Sequence, residues 1–140
     1  RLRMIARVLM AASALIILGL GLIHLFYTFS GSKLTPRSTA LLTSMMEISP
    51  VLTKETTMWK AWVGFNASHS MGAMLFGLLY GCLAWNHAEM LFSSIFLMVL
   101  GGAMLAGYLV LGRIYWFRIP LAAISVASVC YTGSIVAHQF

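Results

Sequence analysis

Four runs of the chain carry no Lys, Arg, Asp or Glu over about 20 residues or more: Val8–Ser32, Ala61–His87, Met90–Gly112 and Ile119–Phe140. At a rise of about 1.5 Å per residue, each is long enough to cross a hydrocarbon core about 30 Å thick. The pattern predicts an all-α integral membrane four-helix bundle, with a short interfacial helix between the first and second spans. The spans fall at about residues 5–28, 57–85, 90–112 and 118–138, with an interfacial loop and helix over 30–56. Residues 1–140 make one transmembrane domain.

The second span is not uniformly apolar. At 100° per residue, Trp59, Trp62, Asn66, His69, Ala73, Phe76 and Tyr80 fall within a stripe about 100° wide. Hydrocarbon offers an amide or imidazole no partner, and an unpaired polar group there costs several kcal/mol. The stripe is therefore expected to face other helices or a cavity. Small residues recur at four-residue spacing (Gly64, Ser68, Gly72; Gly77, Gly81), and Gly19, Gly21, Gly101, Gly102, Ala106 and Gly107 add more. Such residues let backbones approach closely in lipid. Ser125, Ser128, Thr132 and Ser134 read as hydrogen-bonding groups between helices.

The one long connection starts at Ser30-Gly31-Ser32, which breaks the first helix. Thr35-Pro36 reads as an N-cap and first-turn proline. Leu41, Leu42, Met45 and Met46 then share one edge of a short helix, and Ser49-Pro50 ends it. That helix either lies on the membrane surface or folds over the bundle mouth as a lid. Asn86–Glu89 reads as a tight turn, and Pro120 suits the first turn of the fourth span.

Composition confirms lipid as the main solvent. Only 9% of the 140 residues are charged and 61% are hydrophobic, against about 25% charged in a soluble domain. The first run exceeds the 7–15 residues of a signal-peptide core, so it reads as a span. Cys82 and Cys130 lie inside spans without a CxxC pair and read as small apolar groups, not an exchanging dithiol. Nine basic and three acidic residues give a net charge of +6. The basic groups sit at span ends, where they meet lipid headgroups or an anionic ligand. They do not alternate with aromatic residues in a stacking pattern, so nucleic acid is not an expected partner. Arg1, Arg3 and Arg7 mark one face, side A; Lys33, Arg37, Lys54, Lys60, Arg113 and Arg118 mark the other, side B. Simple counting makes side B cytoplasmic, whereas the arginines before the first span pull the other way.

Candidate chemistry collects on side B: His24, Trp59, Trp62, Asn66, His69, Arg113 and Tyr115 form the candidate ligand-binding set. An ionisable residue inside a span is a functional candidate. His69 either locks helices through Asn66, a serine or a carbonyl, or contacts a ligand, or transfers protons. By helix rise it lies about 12–15 Å below the start of its span, with His24 about 5 Å below the surface. Bis-His haem needs the two at matching depth. Ser68 and Ser70 flank His69, but adjacent helix positions point apart and no carboxylate orients the imidazole. Glu47, Glu55 and Glu89 lie outside the spans, so no metal and no cofactor are expected. Arg113 and Arg118 either grip an anion through paired hydrogen bonds or meet lipid phosphates.

The block from Thr57 to Gly72, with Gly64-Phe-Asn-x-Ser-His69 at its centre and Gly21-Leu-Ile-His24 before it, resembles a family of small uncharacterised bacterial four-span membrane proteins. The likeness covers nearly the whole chain and implies a four-helix fold in a bacterial inner membrane, with no assigned reaction. More distantly the chain is similar to DoxX-like proteins. Arg113-x-Tyr115 is also similar to the arginine and tyrosine that hold glutathione in the trimeric membrane glutathione transferases. The Arg-Ala-x-x-Asn-x-x-Glu element of that family is absent: Lys60-Ala61 is followed by Asn66 at a different spacing, and His69 stands where the acid would be.

Two functions follow as expectations. One is a non-catalytic membrane protein that binds a lipid or other amphiphile near one face, or serves as an accessory subunit of a larger complex. Its partners are membrane lipids, other membrane subunits or further copies of the chain. The alternative is a membrane enzyme acting on a lipid-soluble substrate, with His69 as acid/base and Arg113 as anion clamp.

Overall fold

Inside lipid a backbone amide finds its partner only within its own segment, so each apolar run coils. The structure, a computed structural model describing residues 1–140, is helical with no strand. Its elements are α1 (Leu2–Phe29), α2 (Thr39–Glu47), α3 (Met58–Asn86), α4 (Ala88–Ser93), α5 (Ile95–Tyr115) and α6 (Arg118–Gln139). Helices α1, α3, α5 and α6 are long and apolar enough to cross a membrane. The architecture is an all-α membrane four-helix bundle with a short helix between its first two spans.

Local details depart from the sequence pattern in two places. The cap of α2 is Ser38, whose Oγ accepts from the Leu41 amide at 3.3 Å. Thr35 instead donates to the Ser32 carbonyl at 2.8 Å, one step earlier in the connection. The uncharged run from Met90 is also not one helix. Ser94 adopts an extended conformation (φ −88°, ψ 102°) and its side chain caps α5 through the Leu97 amide. The chain thus ends α4 and restarts α5 across a single residue. His87 alone separates α3 from α4, and Glu89 lies in the first turn of α4.

Packing divides into two units, residues 1–20 with 73–140, and residues 21–72. The core of the larger unit brings Met10, Ala14 and Ile17 of α1 together with Phe76, Tyr80 and Leu83 of α3. Ala73, Ala84, Leu91, Leu105, Ile124, Ala127 and Tyr131 complete it. Tyr80 Oη donates to the Leu97 carbonyl at 2.6 Å and Tyr131 Oη to that of Met98 at 2.7 Å, so both phenols are satisfied by α5. Gly101 makes room for them. A Cβ there would stand 2.5 Å from Tyr131 Oη and 2.7 Å from Tyr80 Cζ.

Small residues do not all mark contacts. Gly77 lies against Ala14 and Leu18, whereas a Cβ at Gly19, Gly64 or Gly107 would meet nothing within 4 Å. The hydroxyls of α6 also act differently from the interhelical role expected of them. Ser125, Ser128 and Thr132 bond carbonyls of their own helix four residues back. Ser134, fully buried, has no partner. Serine and threonine in a helix reach the preceding turn more easily than a neighbouring helix.

No residue of α2 is buried. Val51 and Leu52, in the turn after it, are the most fully exposed apolar pair in the chain, at 109% and 94%. Apolar side chains beside Lys54 suit a headgroup boundary. An environment-sensitive fluorophore on Leu52→Cys is expected to shift to the blue when the protein enters vesicles. An emission maximum unchanged from that of the dye in water would place this turn outside the membrane surface.

Candidate functional site

Asn66 is the centre of the smaller unit (residues 21–72). It sits a little over two turns into α3 on the predicted stripe and is 7% exposed. Its amide is fixed from both ends: Nδ2 donates to the Trp62 carbonyl at 2.8 Å, which leaves Oδ1 to accept from His24 Nε2 at 2.9 Å. The bond therefore places the hydrogen of a neutral His24 on Nε2 and makes Nδ1 its acceptor. His69 comes to His24 edge-on, with ring centroids 5.3 Å apart and planes at 81°. Residues 24, 66 and 69 thus form one cluster, joining α1 to α3 within the unit.

The neighbouring hydroxyls are tied to backbone. Ser70 Oγ donates to the Asn66 carbonyl and Ser68 Oγ to that of Phe65. Thr28 Oγ1 donates to the His24 carbonyl at 2.8 Å. Both serine hydroxyls thus donate to carbonyls of their own helix.

The connection closes over the start of α3. Gly31, at φ 76°, turns the chain away from α1 in a conformation that only glycine adopts without strain. Trp62 Nε1 then donates to the Leu34 carbonyl at 3.0 Å, and the Met58 amide donates to Ile48 at 2.8 Å. Lys33 Nζ rests 5.7 Å from the centre of the Tyr27 ring, within cation–π range. These ties border a shallow, open recess lined by Tyr27, Thr28, Gly31, Leu34, Thr35, Trp59, Trp62, Val63 and Asn66.

Of the predicted site residues, His24, Trp59, Trp62, Asn66 and His69 belong to this unit. Trp59 and Asn66 line the recess with Trp62, which is 42% exposed; His24 and His69 stand behind Asn66. Arg113 and Tyr115 belong to the larger unit. Both are exposed in the last turn of α5. Sequence reasoning passed over Tyr27 and Thr28, although they follow His24 at i+3 and i+4 and share its face. Leu34 and Thr35 enter through the fold of the connection, which leaves no periodic signal.

The set supplies donors, acceptors and aromatic faces. No three His, Cys, Asp or Glu side chains gather as metal ligands. Paired axial ligation of a haem does not fit: His24 Nε2 is bonded to Asn66, and two rings in edge contact leave no gap for a macrocycle. No protein-family model matches the chain, and searches of curated proteins and of solved structures find no match.

Proposed function

We propose that this is a non-catalytic membrane protein that holds the polar end of a lipid or other amphiphile in the Trp59–Trp62–Asn66 recess. One observation carries the reading: an aromatic-walled recess with an amide and two threonine hydroxyls among its lining groups, inside a chain built to live in lipid. The recess is shallow and open, so it would meet only the polar edge of a headgroup or ring, with the apolar tail left in the bilayer. Tryptophan and tyrosine suit that boundary because each pairs an apolar body with a polar tip. The resemblance noted above supports placement in a bacterial inner membrane.

The enzyme reading draws no added support from the site. His24 Nε2 is engaged by Asn66, and no three His, Cys, Asp or Glu side chains gather as metal ligands.

Native mass spectrometry of gently extracted protein tests the proposal. The wild type is expected to carry a lipid-sized adduct, and Trp62→Phe, which removes the tie to Leu34, to retain it about fivefold less, the effect of about 1 kcal/mol. A wild type without adduct, or equal retention in Trp62→Phe and Asn66→Ala, would overturn it. A bound polypeptide in place of a lipid would reassign the chain as an accessory subunit.

A further inference from the structure

The larger packing unit holds a second recess that the reading above does not use. Arg3 and Arg7, four residues apart on α1, share one face of that helix. With Ala88, Glu89 and Phe92 of α4 and His138 of α6 they line a shallow, open recess. The histidine is not loose: its ring stacks on Phe92 with centroids 4.3 Å apart and planes within 12°. That stacking makes a flat wall from the last turn of α6. Glu89 forms no ion pair with either guanidinium, so the charges of both signs stay available to a third party.

We propose that this recess binds a zwitterionic headgroup that carries a phosphate and a primary ammonium, as in phosphoethanolamine. The chemistry of the lining selects it. Two guanidiniums present ten N–H donors in planar forks, the geometry that suits a phosphate. A carboxylate accepts only, and a primary ammonium offers it three N–H donors. A quaternary ammonium has no N–H to give, so a choline headgroup satisfies the arginines and leaves Glu89 without a hydrogen bond. A glycerol headgroup has hydroxyls but no positive charge, so its phosphate alone faces the carboxylate. The arginines begin a membrane span, and their long side chains reach the headgroup layer from there. This site stands independently of the Trp59–Trp62–Asn66 proposal.

Lipid retention from nanodiscs of equal phosphoethanolamine, phosphocholine and phosphoglycerol lipids, read by native mass spectrometry, tests it. The wild type is expected to keep the primary-amine lipid over the choline lipid by about fivefold, the upper range of a solvent-exposed ion pair. Glu89→Gln should bring that ratio to about one and raise phosphoglycerol retention. Arg3→Ala/Arg7→Ala should lower retention of all three by about tenfold, with Arg3→Lys/Arg7→Lys restoring part of it. Circular dichroism of each variant separates lost binding from lost fold. Equal retention of amine and choline lipids by the wild type, or an amine-to-choline ratio unmoved in Glu89→Gln, would overturn the assignment. Displacement of the lipid by millimolar free phosphoethanolamine would identify the soluble headgroup as sufficient; displacement by inorganic phosphate alone would overturn recognition of the ammonium.

Discussion

Gly77→Ala is expected to be the most damaging single-methyl change in the chain. The added Cβ would stand 2.5 Å from Leu18 Cβ, 2.7 Å from the Ala14 carbonyl oxygen and 2.9 Å from Leu18 Cα. None of these is the free end of a flexible side chain, so α1 itself must move away from α3. Overpacking of this kind costs about 1–3 kcal/mol. The loss is not cushioned by water, because in lipid close packing is itself a main source of helix association. A drop of about 5–10 °C in the thermal midpoint in detergent follows. Gly64→Ala is the control, since its Cβ would meet nothing within 4 Å. There the higher helix propensity of alanine adds up to about 1 kcal/mol. Equal melting of the two variants would show that the α1–α3 approach does not limit stability. Gly101→Ala should fall between them: its contacts are with tyrosine side chains, but these are held by hydrogen bonds to Leu97 and Met98.

The second large effect is expected at the His24–Asn66 pair. Asn66→Leu removes the acceptor of His24 Nε2 and the donor to the Trp62 carbonyl at once. An imidazole N–H left without its partner in a half-buried site costs about 1–3 kcal/mol. His24→Phe alone should cost less, because Asn66 keeps its bond to Trp62. The double variant His24→Phe/Asn66→Leu should then be more stable than the sum of the single effects, with a coupling of about 1 kcal/mol. Unfolding in denaturant measures all four corners of that cycle. A coupling indistinguishable from zero would mean that the two side chains do not stabilise each other.

The architecture was legible because lipid imposes a strict grammar: long uncharged runs must be helices. The inward side of α3 was legible too, since the 100° stripe that carries Asn66, Phe76 and Tyr80 is the side the structure buries. Three features were not. The break at Ser94 lies inside continuous hydropathy with no glycine or proline to mark it, and a serine cap is a local competition that composition does not reveal. The proximity of His24 and His69 was blurred by counting depth from helix ends. His24 lies about 8 Å from the end of α1 and His69 about 16 Å from the start of α3, yet their rings touch, so α3 begins farther out than α1 ends. The use of each glycine depends on which face a neighbour covers. Gly64 and Gly77 look alike in the sequence and differ completely in what surrounds them.

The separation of 42 positions from His24 to Asn66 also sets a schedule for biogenesis. At a synthesis rate of about 5–20 residues per second, α1 waits roughly 2–8 s before the amide that will receive its imidazole has been made. During that interval the ring, about 8 Å from the helix end, is near enough to the headgroups to find water by bending toward them. A histidine two turns deeper would have no such refuge, so the place of this residue in its helix lets a polar partner enter the bilayer first and be claimed later.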